Sequence, residues 1–124
     1  MDIYGHRGAS GHAPENTMEA YKMAFDVYRA DGIEIDVHYS KDGEMVVMHD
    51  FDISRTTDGN GMIFTKTLTE LKMLSASAQY QGEGSFPDAK IPMLSEVLEL
   101  VAQKNKKINI ELKAGSFLYP KIEE

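Results

Sequence analysis

The chain has 124 residues and a mass of 13.9 kDa, which suits one modest domain or part of a larger one. Its 42% hydrophobic and 27% charged residues exclude a disordered chain, and its longest apolar run, the four residues 45–48, excludes a membrane-spanning helix. The net charge of −7 argues against nucleic acid or an anionic membrane as the main partner, and the lack of cysteine excludes disulfides, thiolate metal sites and a cysteine nucleophile. The first residues lack the cationic and apolar pattern of a signal sequence, and we therefore expect a soluble, cytoplasmic protein.

The first third of the chain predicts a strand, a glycine-rich turn and a helix. Residues 2–6 have the pattern of a short strand. Asn16 and Glu19 have capping-box spacing, which predicts a helix over about residues 17–30 that ends at Gly32. The apolar face of this helix carries Met18, Tyr21, Phe25 and Tyr28.

The middle of the chain predicts two further strands. Residues 33–39 alternate between apolar and polar side chains, and residues 45–49 form a second short strand-like run. The Asp42-Gly43 pair between them favours an antiparallel hairpin. A parallel arrangement is also open, because residues 37–44 as extended chain would cover about 26 Å, enough to return past one strand.

The remaining sequence predicts a long excursion, two helices and a fourth strand. Residues 51–92 are rich in turn signals and include a short helix capped by Thr67 and Glu70. Residues 108–113 alternate as a strand, and Pro120 has the character of a first helical residue. The helix before that strand has an apolar stripe formed by Leu94, Val97, Leu98 and Val101. This order of elements predicts an α/β fold with a mostly parallel sheet.

Histidines and carboxylates occur on all four predicted strands. They are His6 in the first, Glu34 and Asp36 in the second, His49 in the third, and Glu111, followed by Lys113, in the fourth. On any single strand such alternation could be the solvated side of an antiparallel sheet. Four strands together favour a cluster at the strand ends where α/β folds bind ligands.

The three carboxylates in this set suggest a metal site. Glu34, Asp36 and Glu111 offer hard oxygen ligands, which suit Mg²⁺ or Ca²⁺. Without a cation they would repel one another, although a salt bridge from Lys113 could neutralise part of the cluster instead.

The histidines and basic residues of the set suit phosphoryl chemistry. Because histidine can donate and accept protons near neutral pH, His6 and His49 are candidates for a proton donor and acceptor. Arg7 follows His6 and has a planar fork that matches a phosphate group. With Lys113 and a divalent metal, these residues form a constellation for reactions at phosphorus. His12 and His38 are predicted to be structural.

Eight short motifs occur along the chain. They are His6-Arg7-Gly8, Pro14-Glu15-Asn16-Thr17, Glu34-Ile35-Asp36-Val37, Asp42-Gly43, His49-Asp50, Arg55-Thr56-Thr57, Ile91-Pro92 and Glu111-Leu112-Lys113. In order and spacing they resemble the glycerophosphodiester phosphodiesterase family from residue 3 to about residue 120. The resemblance implies the N-terminal portion of a TIM-type (β/α)8 barrel with about four strands and a small insertion after strand three, at residues 51–88. It also implies a metal-dependent hydrolase that splits glycerophosphodiesters into glycerol 3-phosphate and an alcohol.

The resemblance further implies a role for seven residues. The family's metal ligands match Glu34, Asp36 and Glu111, its general acid and base match His6 and His49, and its phosphate-binding cations match Arg7 and Lys113. The implied cofactor is one divalent cation, Mg²⁺ or Ca²⁺, and the implied partner is a small-molecule glycerophosphodiester. Which histidine is the acid stays open, and so does the nucleophile, which is either water or a neighbouring hydroxyl of the substrate.

Length is the one departure from the family pattern. A complete barrel needs about 250 residues, so we expect residues 1–124 to form a single, incomplete barrel domain, a truncated form that associates with a second copy to cover its open strand edges. Two other functions stay open. One is a phospholipase D-like lyase on the same fold that releases a cyclic phosphate, although such relatives are typically disulfide-bonded. The other is a non-catalytic half-barrel that binds metal or phosphate or only self-assembles.

Overall fold

Four strands form one mixed sheet in the computed structural model, which describes residues 2–113. The strands are β1 (Tyr4–His6), β2 (Gly32–Tyr39), β3 (Met45–Val47) and β4 (Lys107–Leu112). All three of the other strands pair with β2, which is therefore the centre of the sheet. The predicted helix at Pro120 lies outside the described residues.

The sheet is parallel except at β3. β1 and β4 run parallel to β2, which places Tyr4 and Lys107 opposite Gly32. β3 runs antiparallel to the far end of β2, with Val37 opposite Val47. The hairpin is therefore right and the parallel alternative is wrong, because the turn closes locally. Gly43 takes a left-handed φ of +81° that a glycine adopts without strain.

Three α-helices and two short 3₁₀ turns complete the described fold. The helices are α1 (Met18–Asp26), α2 (Leu68–Lys72) and α3 (Leu94–Lys104), and the 3₁₀ turns are Ile53–Arg55 and Ile63–Thr65. Helix α2 begins at Thr67 with the predicted capping box to Glu70. None of the helices within residues 2–113 is long and apolar enough to span a bilayer.

The main core lies between β2 and the helices α1 and α3. The apolar side chains of β2 are fully buried there, and they pack with residues from both helices. These core residues include Ile33, Ile35, Val37, Tyr21, Phe25, Val97 and Leu100. Leu98 was predicted for the buried stripe of α3, but it is 41% exposed because Val97, Leu100 and Val101 form the face that packs on the core.

Helix α1 differs from its prediction at both ends. Its N-cap is Thr17, whose side chain accepts a hydrogen bond from Ala20 N–H, and not Asn16. The Asn16 side chain instead donates a hydrogen bond to Asp36, in the site described below. The helix ends at Asp26, before the predicted residue 30, because Arg29 adopts a left-handed φ of +53° that closes the last turn.

Residues 51–92 build a second apolar cluster on the far side of β3. Val46 and Met48 face this cluster, whereas Val47 faces the main core. The other members come mostly from the segment predicted as an insertion and include Ile53, Ile63, Leu71, Ala76 and Ile91. The segment therefore has a buried anchor of its own next to the end of β3.

Gly8 sits where the loop after β1 touches α1, and it provides a test of the fold. Its φ is +82°, and an added Cβ would lie 2.8 Å from the Ala20 backbone and 2.9 Å from the Tyr21 ring. We expect Gly8→Ala to lower the free energy of unfolding by about 2–4 kcal/mol, from backbone strain and overpacking together. Denaturant unfolding measures this change.

The matched control is Gly11→Ala in the same loop. A Cβ at Gly11 would meet no atom within 4 Å, so this variant should unfold with a midpoint close to that of the wild type. Equal stability of the two variants would contradict the close approach at Gly8.

Candidate functional site

Four of the predicted site residues lie on one face of the sheet, near the C-terminal ends of β1 and β4. His6 is the last residue of β1 and is the register partner of Glu34. Asp36 lies two residues further along β2 and is the register partner of Glu111 on β4. Because side chains two residues apart share a face of a strand, these four side chains belong to one patch of the sheet.

Ion pairs connect the members of this patch. His6 Nε2 lies 3.1 Å from Glu34 Oε1. Lys113 Nζ lies 2.9 Å from Glu111 Oε1 and 3.8 Å from Asp36 Oδ1. The salt bridge from Lys113, which was open as the alternative to a metal ion, is present, and it holds the pKa of Glu111 below its usual value. Acidic and basic side chains therefore alternate in the patch.

Asp36 is the buried centre of the patch. Its side chain is only 1% exposed. Asn16 Nδ2 donates to Asp36 Oδ2 at 3.1 Å, and the hydroxyl of Tyr21 donates to Asn16 Oδ1 at 2.6 Å. Burial raises the pKa of Tyr21 well above its usual value, and the charge of Asp36 raises it further, so Tyr21 stays a hydrogen-bond donor.

Arg7 is the second cation beside Asp36. Its Nε lies 3.7 Å from Asp36 Oδ2, and its Nη1 donates to Glu15 Oε2 at 3.1 Å. Among the described residues, two buried side-chain atoms have no hydrogen-bond partner, and these are Arg7 Nε and Asp36 Oδ1. An unsatisfied donor and an unsatisfied acceptor at one buried site are unusual, and they mark these two atoms as candidate contacts for a ligand.

His49 follows the end of β3 and is held by its neighbour. His49 Nδ1 lies 2.7 Å from Asp50 Oδ1, and the imidazole is 31% exposed. Because a carboxylate accepts, Nδ1 carries the proton, and Nε2 is the acceptor atom of the neutral ring. Met48, directly before His49, donates its backbone N–H to the Asp36 carbonyl at 2.9 Å, which places His49 beside the patch.

The other two histidines have structural surroundings, in agreement with their predicted role. His38 is fully buried, and its Nε2 lies 3.1 Å from the backbone oxygen of His49. Burial lowers the pKa of His38, which favours the neutral ring. His12 stacks on Tyr28 with the ring centroids 4.9 Å apart.

Three charged residues of the site received no role from the sequence. Glu15, Asp50 and Arg55 form a network in which Arg55 contacts both carboxylates. Each of the three lies within one of the eight motifs, and Asp50 directly follows His49. Their positions along the chain gave no indication of contact, because Arg55 lies 40 residues from Glu15.

The residues present suit a hard divalent cation. Within residues 2–113, no group of three or more His, Asp or Glu side chains stands together as a formed metal site, since Glu34 and Glu111 are each drawn to a basic partner. Asp36 Oδ1 is nevertheless a buried oxygen without a hydrogen-bond partner in this part of the chain, and it faces Lys113 only at 3.8 Å. The type of ligand, carboxylate oxygen, is the one that Mg²⁺ and Ca²⁺ prefer.

Comparisons with known proteins agree with this geometry. The model of the glycerophosphoryl diester phosphodiesterase family matches residues 6–118. A glycerophosphodiester phosphodiesterase of Caldanaerobacter subterraneus is 48% identical over 122 residues, which are 98% of this chain and 49% of that protein. The chain therefore spans about half the length of the curated relatives it matches.

Solved structures give the same result. A phosphodiesterase of Oleispira antarctica, in complex with the product sn-glycerol-3-phosphate, has a TM-score of 0.85 and 38% identity over 95% of this chain and 47% of that one. A glycerophosphodiester phosphodiesterase from Agrobacterium tumefaciens has a TM-score of 0.84 and 37% identity over 90% of this chain and 47% of that one. The predicted fold class, the N-terminal portion of a TIM-type (β/α)8 barrel, is thus confirmed. With a family match that runs from the end of β1 to beyond β4, the chain belongs to the glycerophosphoryl diester phosphodiesterase family.

Proposed function

We propose that the protein hydrolyses glycerophosphodiesters to glycerol 3-phosphate and an alcohol at the patch around Asp36. The observation that carries this proposal is the buried Asp36 carboxylate, flanked by Arg7 and Lys113, on the face of the sheet that also carries His6, with His49 shortly after the end of β3. The complex of the Oleispira relative with sn-glycerol-3-phosphate supports the substrate class. A cytoplasmic location stays a prediction from the sequence alone.

The two basic residues are suited to hold the phosphodiester. Arg7 is bound through Nη1 to Glu15, which leaves its buried Nε without a hydrogen-bond partner in the described chain. Lys113 is 18% exposed and carries a second positive charge on the opposite side of Asp36. A phosphate oxygen that accepts from these groups would gain charge-assisted hydrogen bonds in a partly buried setting.

The two histidines are suited to move protons on either side of that phosphate. The Asp50 contact leaves His49 Nε2 as the atom available for proton transfer, and the Glu34 contact holds His6 Nε2. One histidine would take the proton from the nucleophile, and the other would give a proton to the leaving alkoxide. The nucleophile is water or the neighbouring glycerol hydroxyl of the substrate.

We assign the metal site to Glu34, Asp36 and Glu111. A divalent cation bound there would supply Lewis-acid stabilisation of the charge that develops on the phosphoryl oxygens. The support is the adjacency of the three carboxylates across β2 and β4 and the unsatisfied Asp36 Oδ1 within residues 2–113. Whether the ion is Mg²⁺ or Ca²⁺ is part of the test below.

Removal of either histidine should abolish most of the activity. We expect His6→Ala and His49→Ala each to lower kcat for glycerophosphocholine by about 10²–10⁴-fold, because a positioned proton donor or acceptor contributes that much. Release of choline measures the rate. His12→Ala, outside the patch, is the control and should retain the wild-type rate.

Three results would overturn the assignment. Hydrolysis that survives both His6→Ala and His49→Ala would refute the acid–base roles. Undetectable turnover in the wild type, together with intact metal binding, would favour the non-catalytic half-barrel. A cyclic phosphate as the final product in phosphorus NMR spectra would favour the lyase.

Metal binding should depend on the carboxylates of the patch. We expect isothermal titration with Ca²⁺ or Mg²⁺ to show an affinity about tenfold or more lower in Asp36→Asn and Glu111→Gln, because each removes a charged oxygen ligand. Glu99→Gln on the exposed face of α3 is the matched control and should bind as the wild type does. Equal affinity in all of these variants would contradict the proposed site.

We also propose that the chain of 124 residues associates with a second copy of itself. In residues 2–113, β1 and β4 each pair only with β2, and β4 carries the exposed apolar residues Ile110 and Leu112. Open strand edges and exposed apolar surface favour association. The partner of these edges would be the same edges of a second copy.

Light scattering after size-exclusion chromatography tests this association. We expect a mass above 13.9 kDa that falls on dilution, and a weaker association for Ile110→Thr, which keeps a β-branched side chain but removes apolar surface. Met73→Thr, at an exposed residue of the excursion, is the control. A monomer at all concentrations would contradict the proposal.

A further inference from the structure

Arg55 contacts two carboxylates that come from separate segments of the chain. Its Nε and Nη2 donate to Asp50 at 2.7 and 3.2 Å, and its Nη1 and Nη2 donate to Glu15 at 2.7 and 2.9 Å. Glu15 belongs to the loop between β1 and α1, Asp50 follows β3, and Arg55 ends the first 3₁₀ turn. A single planar guanidinium therefore joins three segments.

Each carboxylate in turn contacts a residue of the proposed machinery. Asp50 Oδ1 is 2.7 Å from His49 Nδ1, and Glu15 Oε2 is 3.1 Å from Arg7 Nη1. One carboxylate therefore connects Arg55 to His49, the proposed proton-transferring histidine, and another connects it to Arg7, the proposed phosphate-binding arginine. The described contacts join all five residues in one chain of hydrogen bonds.

We propose that Arg55 is a positioning residue, which fixes His49 through Asp50 and Arg7 through Glu15. This inference rests on the proposed function, since it assigns the two contacts to the reaction at Asp36. It differs from a surface ion pair in its geometry, because the two carboxylates use both edges of the guanidinium. A lysine has one charged atom and cannot hold two carboxylates in this arrangement.

The pKa shifts of Asp50 and Glu15 agree with strong interactions between these carboxylates and Arg55. Arg55 and, to a smaller degree, His49 lower the pKa of Asp50 to about 2. Burial raises the pKa of Glu15, yet Arg55 and Arg7 outweigh that effect and leave it below its usual value. Both carboxylates are therefore charged at neutral pH, which is the state that orients His49 with its proton on Nδ1.

The two branches of the network predict separate kinetic effects. Asp50→Asn changes the direct partner of His49 and reaches Arg7 only through Arg55, so it should lower kcat more than it raises KM. Glu15→Gln changes the direct partner of Arg7 and reaches His49 only through Arg55, so it should raise KM for glycerophosphocholine, and weaken binding of sn-glycerol 3-phosphate, more than it lowers kcat. Arg55→Met should do both, with a loss in kcat/KM of about 10–100-fold, as is typical when a residue behind a reacting group is removed.

Two matched variants separate positioning from charge and from general stability. Arg55→Lys keeps the positive charge but loses the fork, and we expect it to remain close to Arg55→Met. Arg29→Met makes the same substitution at an exposed arginine and should leave kcat, KM and the unfolding midpoint unchanged. Arg55→Met and Asp50→Asn combined should lower kcat no further than Asp50→Asn alone, because both act through His49.

A spectroscopic measurement keeps the inference independent of turnover. In protein labelled with ¹⁵N-histidine, His49 should show an Nδ1-protonated ring in the wild type and in Glu15→Gln. That signature should shift or broaden in Asp50→Asn and in Arg55→Met. If the wild type does not turn over but this pattern holds, the proposed function fails while the positioning network stands.

Three outcomes would overturn the inference. The first is a kcat and KM within twofold of the wild type in Arg55→Met. The second is full rescue by Arg55→Lys, which would show that charge alone matters. The third is an unchanged His49 signature in Asp50→Asn, which decides the question even where Arg55→Met fails to fold.

Discussion

A negative charge buried at the centre of the sheet is the constraint on which the rest of this structure depends. Asp36 is 1% exposed, and a carboxylate in that position is costly unless hydrogen bonds and counter-charges compensate it. The compensation comes from Asn16 in the loop before α1, from Arg7 after β1 and from Lys113 after β4. The Asp36 carboxylate, which we propose as a metal ligand, therefore also holds the segments around β2 in position.

The loop between β1 and α1 is strained in order to make these contacts. Arg7 and Asn16 both take left-handed φ values, +59° and +52°, a conformation that costs about 1–2 kcal/mol for a residue such as Arg7 and less for an asparagine. Backbone hydrogen bonds hold both, since Arg7 N–H donates to the Glu34 carbonyl and Asn16 N–H donates to the Arg7 carbonyl. Strain of this kind persists where the surroundings enforce it, and here it directs both side chains to Asp36.

The second apolar cluster allows the segment after β3, residues 51–92, to hold residues of the site in place. Ile53 is buried in that cluster, two residues before Arg55, while Met48 is buried in it directly before His49. The segments that carry Arg55 and His49 are therefore both anchored in the second apolar cluster. Because these side chains are already ordered before a ligand arrives, less conformational entropy is lost when the ligand binds.

The sequence alone determined the strands, the α/β order, the family resemblance and the seven candidate residues, because periodicity and motif spacing are local properties. It could not choose between a hairpin and a parallel return at Asp42-Gly43, since both satisfy the same alternation. It also placed the cap of α1 at Asn16, because capping spacing is a local pattern and does not show that Asn16 binds a buried carboxylate 20 residues away. Only the tertiary structure brought Arg55 to Glu15 across 40 residues and left Asp36 Oδ1 unsatisfied within residues 2–113. Contacts between distant segments depend on how the elements pack, and no local pattern encodes them.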